Sequence, residues 1–147
     1  MKRFCTALTA LFILSSARAG SVFAEAGNPA EVKKVEADGY TISYEVVAQD
    51  QVDQVVGDLA QYINTEGVDM QKTRLLYIRY ISAEKEGQEV KLGSALMNTD
   101  RGKFVFCVDG TEYTQTSLLM NTGTQTFLTY LFVPAETIDD ADVSIKY

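Results

Sequence analysis

The residues equipped for chemistry in this chain are mainly carboxylates. Asp139, Asp140 and Asp142 fall together near the C-terminus, and Asn98 and Asp100 stand just ahead of Gly102. Oxygen-rich clusters of this kind can hold calcium in exported acidic domains, but neither has the sharp-turn glycine and distal glutamate of a calcium loop. Both read as polar turns, and no metal is expected. Paired carboxylates also hydrolyse glycosidic bonds, yet the acidic residues here lie mostly in turns or at alternate strand positions, where water solvates them. The chain has no histidine. That removes Ser-His and Cys-His nucleophilic catalysis and deprives zinc of its usual ligands. A glycine-rich phosphate loop and a dinucleotide fingerprint are also missing from the sequence. The expectation is no catalytic residue, no cofactor and no metal site.

Two further residue types could act. Cys5 and Cys107 are the only cysteines. Cys107 could be a reactive thiol or a dimer bridge, but its neighbours Phe104, Val105, Phe106 and Val108 favour a buried structural cysteine. The eight tyrosines suit either an interface or a sandwich core, where the ring packs and the hydroxyl reaches the rim. The core reading is preferred.

The N-terminus bears on where the chain works. Lys2 and Arg3 precede a short apolar run from Phe4 to Leu14, followed by small residues that offer cleavage at Ala17-Arg18-Ala19 or Val22-Phe23-Ala24. This order is that of a secretory signal peptide. The apolar run is too short to span a bilayer as a helix, although an uncleaved anchor is the alternative. Residues 1–24 are therefore expected to be a signal peptide, 25–38 a flexible leader and 39–147 the domain. The localisation that follows is secreted or extracytoplasmic, in the periplasm or cell envelope. Cleavage after Ala24 would remove Lys2, Arg3 and Arg18 from the 13 basic residues and none of the 20 acidic ones, leaving a net charge of −10. Such a surface repels phosphate, so neither nucleic acid nor an anionic membrane is an expected partner. With Cys5 gone, no intramolecular disulfide can form, and an apolar core must hold the fold.

The elements that would position these residues read mainly as strands. Tyr40, Ile42, Tyr44 and Val46 alternate with polar residues, the period of a half-buried strand. Val52, Val55, Val56, Leu59 and Ile63 fall instead on one helical face, with Asp50 as a candidate N-cap and Gly67 as a stop. From Thr73 onward the chain reads as strand throughout, including EVKLGSAL. TRLLYIRYIS is apolar on both faces, as a central strand should be. Asp109-Gly110 signals a hairpin, and TEYTQTSLLM and QTFLTYLFV follow around the turn at Asn121-Thr-Gly123. FVFCV and these two runs together predict three successive antiparallel strands. About seven strands at sandwich-like spacing predict an antiparallel β-sandwich with one short helix. The alternative is α+β, a long helix over 50–65 packed on a curved antiparallel sheet as in cystatin-like domains.

Four stretches, LLYIRYISAEKEG, FVFCVDGTEY, TFLTYLFVP and VSIKY, carry a resemblance over about residues 73–147. In this order they resemble the telokin-like, immunoglobulin-type extracytoplasmic domains of secreted bacterial proteins. The chain departs from that pattern at NTGTQ, where the family usually places a Pro-Gly turn, and in its helix-like segment 50–65. The resemblance implies an immunoglobulin-like sandwich and a non-catalytic role. The function expected is a binding or interaction module of the bacterial cell envelope, its partner a protein or envelope ligand. The alternative is a small extracytoplasmic enzyme inhibitor or a carboxylate-dependent hydrolase. The candidate partner-binding residues are Asn98 and Asp100 in one loop and Asn121 and Thr124 in another, small polar positions between rigid strands.

Expressed with its native N-terminus, the protein should be exported and cut within residues 19–26. Intact-mass measurement of the extracytoplasmic fraction checks this, and full-length cytoplasmic protein retaining Met1 would contradict it.

Overall fold

Asp38-Gly39, Glu86-Gly87 and Asp109-Gly110 each place two consecutive residues at positive φ (51° and 88°, 52° and 81°, 50° and 86°). Two left-handed residues in succession make the tight turn whose twist matches that of antiparallel strands, and glycine takes the second position without steric cost. These pairs close three hairpins in the structure, a computed structural model that describes residues 31–114, 117–138 and 140–147. The proposed signal peptide, the leader up to residue 30 and Asp139 lie outside the described residues. The hairpins are β1 (Lys33–Ala37) with β2 (Tyr40–Val46), β3 (Thr73–Lys85) with β4 (Gln88–Val90), and β5 (Val105–Val108) with β6 (Thr111–Thr114). β7 (Leu119–Asn121), β8 (Thr126–Pro134) and β9 (Val143–Lys146) complete the strands.

All pairings are antiparallel, in two sheets. The larger runs β1-β2-β3-β8-β7, with β4 continuing on the β8 side of β3, and the smaller runs β6-β5-β9. Alternation divides the side chains. Leu76, Ile78 and Tyr80 of β3 and Phe127, Leu131 and Val133 of β8 face Phe106, Val108, Val143 and Ile145 of the smaller sheet in one buried core. The other face of the same two strands carries Tyr77, Leu128 and Tyr130, packed with Val56 and Leu59 in a second core. The fold is thus mainly β, an antiparallel sandwich with a short helical segment on the outside of its larger sheet.

Several details differ from the reading of the sequence. β1 falls where the leader was expected to run on to Asp38, because Val35 and Ala37 alternate into the core beneath otherwise polar neighbours. The segment 49–62 is not one long helix, which removes the structural basis for the α+β alternative. It is a 3-10 turn, five residues of α-helix (α1, Val52–Val56) and a second 3-10 stretch, Gly57–Tyr62. Gly57 breaks it at φ 52° and ψ −131°, a conformation that side chains disfavour. Asp50 makes no capping hydrogen bond. EVKLGSAL was expected as a strand, but Leu92–Asn98 forms a helix, α2, whose Ala95 and Leu96 are fully buried against the inner core. Leu92 and Leu96 fit a helical face as well as an alternating one, and packing decides between them. TEYTQTSLLM is not one strand either, since β6 belongs to the smaller sheet and β7 to the larger.

Two tyrosines fasten the core by their hydroxyls. The Tyr44 hydroxyl accepts the Ile145 amide N–H at 2.9 Å, joining β2 to β9 across the buried interface. The Tyr80 hydroxyl lies 2.8 Å from Thr129 Oγ1, which itself donates to the Ser117 carbonyl at 3.2 Å. Thr129 has one hydroxyl proton, so Tyr80 must be the donor of that pair. Burial pushes the Tyr80 phenol up from 10.0 to about 12, and burial also raises Tyr44 and Tyr77. Between these values the unfolded chain loses the proton first, so stability is intact below pH 10.0 and falls as pH rises towards 12. The Tyr80 shift alone corresponds to roughly 2–3 kcal/mol. Denaturant midpoints should therefore drop steeply across this window, and Tyr80→Phe should flatten the drop while leaving Thr129 bonded to Ser117. A flat midpoint up to pH 12 would contradict the burial of this hydroxyl.

Candidate functional site

Asn98 and Asp100 sit where α2 runs into the strand β5, and the structure occupies both. Asn98 Nδ2 donates to the Tyr40 hydroxyl at 3.3 Å. Asp100 caps the 3-10 turn Arg101–Lys103, its Oδ1 accepting from the Gly102 amide at 3.1 Å. Its own amide donates to the Tyr147 hydroxyl at 3.2 Å, and that hydroxyl donates to Asp38 Oδ2 at 2.5 Å. Lys85 Nζ stands 4.9 Å over the Tyr40 ring and Lys103 Nζ 5.6 Å over the Tyr147 ring, whose edge also packs on Phe104 at 5.3 Å. The hydrogen bond to Asp38, followed by desolvation, raises the Tyr147 phenol above its ordinary value. This cluster ties the C-terminus to the β1–β2 hairpin.

Asn121 and Thr124 lie in the β7–β8 turn. Asn121 Oδ1 accepts from the Gly123 and Thr124 amides at 2.9 and 3.2 Å, and Thr124 Oγ1 meets Thr126 Oγ1 at 2.7 Å. An asparagine bonded this way to its own following backbone is a turn-former. No hydrogen bond or ion pair among the described residues joins this turn to Asn98 or Asp100. Asn121 is, however, the last residue of β7, so the turn adjoins the free edge of the larger sheet.

The remaining carboxylates are dispersed. Asp109 and Asp142 exchange backbone and side-chain bonds, Asp109 N to the Asp142 carbonyl at 2.8 Å and Asp142 N to Asp109 Oδ1 at 2.9 Å. Among the described residues no group of three or more His, Cys, Asp or Glu is placed to hold a metal. Asp109 and Glu136 line a groove of about 350 Å³ with Tyr113 and Ile138, but one Asp109 oxygen already serves Asp142. Glu45, raised above the usual carboxylate range by burial against the lowering effect of Arg79, pairs with that arginine at 3.7 Å across the β2–β3 ladder. It is a cross-strand ion pair.

Cys107 departs from the expectation of a buried cysteine. In β5, Phe106 and Val108 alternate into the core, so Cys107 points to the outer face of the smaller sheet and is only half-buried. Its register partners are Glu112 and Ser144, and Lys146 Nζ, bonded to Glu112 at 3.0 Å, stands beside it. Reading apolar neighbours as burial missed the two-residue period of a strand covered on one side.

The open apolar surface lies elsewhere. Between the 3-10 stretch Gly57–Tyr62 and β7 runs a groove of about 510 Å³, lined by Leu59, Tyr62, Leu118, Leu119, Met120 and Tyr130. Tyr62 is 66% exposed and Met120 41%. β7 ends the larger sheet, and its outer backbone has no strand partner among the described residues. The two chain segments that form the groove differ in charge. The chain carries no charged residue between Glu112 and Glu136, which includes β7 and β8. From Gln49 to Gln71 it carries Asp50, Asp53, Asp58, Glu66 and Asp69, all exposed, and no lysine or arginine. Periodicity could not reveal this site, because its walls lie far apart in sequence. The charge partition is the signal that could have.

Compared with known proteins, the chain matches no family model, no curated protein and no solved structure. The resemblance over residues 73–147 therefore rests on its four motifs alone. Among the described residues no helix is long and apolar enough to cross a membrane.

A half-buried Cys107 should react with a small maleimide in the native protein without denaturant, more slowly than a free thiol. Native-state labelling followed by mass spectrometry checks this. Protection down to the global unfolding rate would mean the thiol is sealed in the core.

Proposed function

We propose that this protein is a secreted, non-catalytic binding module of the bacterial cell envelope, and that the groove between Tyr62 and Met120 is its recognition surface. The observation that carries the reading is the exposed pair itself. A large aromatic and a flexible thioether stand on the rim of an apolar groove, the residue types enriched where proteins meet. The Asn121–Thr124 turn would border the site through its continuity with β7, and the Asn98–Asp100 loop would act by holding the C-terminal cluster together. The motif resemblance to telokin-like domains and the order of the N-terminus support an extracytoplasmic setting.

The wild-type protein should capture a partner from solubilised envelope fractions, and Tyr62→Ala with Met120→Ser should lose it. Asp100→Ala should retain capture, and replacement of 121–124 should weaken it. Equal capture by all four proteins would remove the groove from the site. Hydrolysis of a glycan or peptide, abolished by changing one carboxylate, would overturn the non-catalytic reading.

A further inference from the structure

The edges of the two sheets are unequally protected. β1, at one end of the larger sheet, carries Lys33, Lys34 and Glu36, and Lys33 Nζ donates to the Val143 carbonyl of β9. In the smaller sheet, Glu112 of β6 and Lys146 of β9 pair at 3.0 Å. Charge of this kind is how sheets discourage further strands from adding. β7 has none. Its residues are Leu119, Met120 and Asn121, preceded by Leu118. An uncharged strand edge that has no strand partner among the described residues, beside an apolar groove, is a template for main-chain pairing, with alternate side chains of the added strand entering the groove.

We infer that the groove binds an extended, cationic polypeptide segment that adds to β7 as a further strand. This rests on the groove being the recognition surface and specifies its partner. The charge pattern decides what the segment must be. Its central residues face an uncharged edge, so they should be uncharged, with apolar side chains at every second position. Its flanks meet the side formed by the 49–71 segment, which carries Asp50, Asp53, Asp58, Glu66 and Asp69 and has no lysine or arginine of its own. Lysine or arginine there is favoured and acidic residues are repelled. The same charge argues against a second copy as occupant. Each chain carries a net −7, and β7 pairing with β7 would bring two acidic segments together over only three residues of strand.

The test selects short random peptides, displayed on phage, against the purified protein. Enriched peptides should alternate apolar residues between basic flanks. Synthetic versions should bind in a salt-dependent manner and protect the amides of Leu119–Asn121 from hydrogen exchange. Met120→Lys, Asp58→Lys and Tyr62→Ala should each weaken them, the first by about tenfold or more. N-methylation of alternate peptide amides should abolish binding, while methylation of the others is tolerated. Loss on groove substitution with indifference to N-methylation would overturn strand addition yet leave the groove as the site. Binding untouched by all three substitutions would overturn both readings. Enrichment of acidic or proline-rich peptides, or of none, would overturn the inference.

Discussion

The ladder between β3 and β8 constrains everything else in this fold. Eight residue pairs, from Thr73↔Pro134 to Tyr80↔Phe127, bring together strands that are apolar on both faces. A sheet with two apolar faces needs two covers. The inner face receives the smaller sheet and α2, with Phe104, Phe106, Val143 and Leu96 almost wholly buried. Among the described residues, the outer face has only the connection between β2 and β3. That connection must therefore be amphipathic, and its Val56 and Leu59 are buried for this reason. It is also short and broken at Gly57, so it covers the outer face irregularly: Leu59 reaches Leu119 of β7, Ile63 packs on the same core and the Asn64 amide donates to the Tyr130 hydroxyl. The groove lies where Leu59 and Tyr62 of this irregular cover meet β7.

Closing the inner layer depends on a few directional contacts. The two sheets share no hydrogen-bonded strand pair among the described residues, so area alone would let one slide over the other. The Tyr44 hydroxyl on the Ile145 amide and Lys33 on the Val143 carbonyl fix the register where β1 lies against β9. A net hydrogen bond contributes about 1 kcal/mol, small beside the apolar burial. Its value here is direction, since dispersion contacts have none. Arg74 does similar work at the start of β3, donating to the Thr137 carbonyl and to Gln49 Oε1 at 3.0 Å, and so links the outer cover to the β8–β9 loop.

Much of the fold was legible because strong local signals agreed with the packing. The double-faced character of TRLLYIRYIS marked the central strand, and Asp109-Gly110 marked the β5–β6 hairpin. The failures come from positions where a local signal admits two readings. Leu92 and Leu96 suit a strand or a helix, and only the inner core shows that α2 is required. The 52–63 apolar spacing predicted a helix, but Gly57 cuts it, and the outer face needs a cover of no particular regularity. β1 was hidden because five residues with two lysines and a glutamate look like a leader until Val35 and Ala37 find the core. The candidate loops were chosen for small polar residues, the types that also satisfy turns internally, as Asn121 and Asp100 do here. The groove was invisible because it is made by adjacency of residues 59–62 and 118–120, which no one-dimensional period reports.

The partition of charge around that groove separates two tasks a binding surface must perform. The carboxylates of the 49–71 segment are exposed, so bulk water and salt attenuate their pull on a bound ligand, over about 8 Å at physiological ionic strength. Their field acts mainly during approach, and it would shape association rates more than residence. The uncharged edge and the apolar floor act only at contact, where Leu59, Leu119 and Tyr130 lie at the margin of a rigid core and cannot rearrange without disturbing it. A carboxylate placed on β7 itself would strengthen steering, but it would also have to be desolvated each time a strand was added. Keeping charge on one segment and leaving the other neutral lets approach and fit be set independently, on a face whose shape follows from where the irregular cover meets β7.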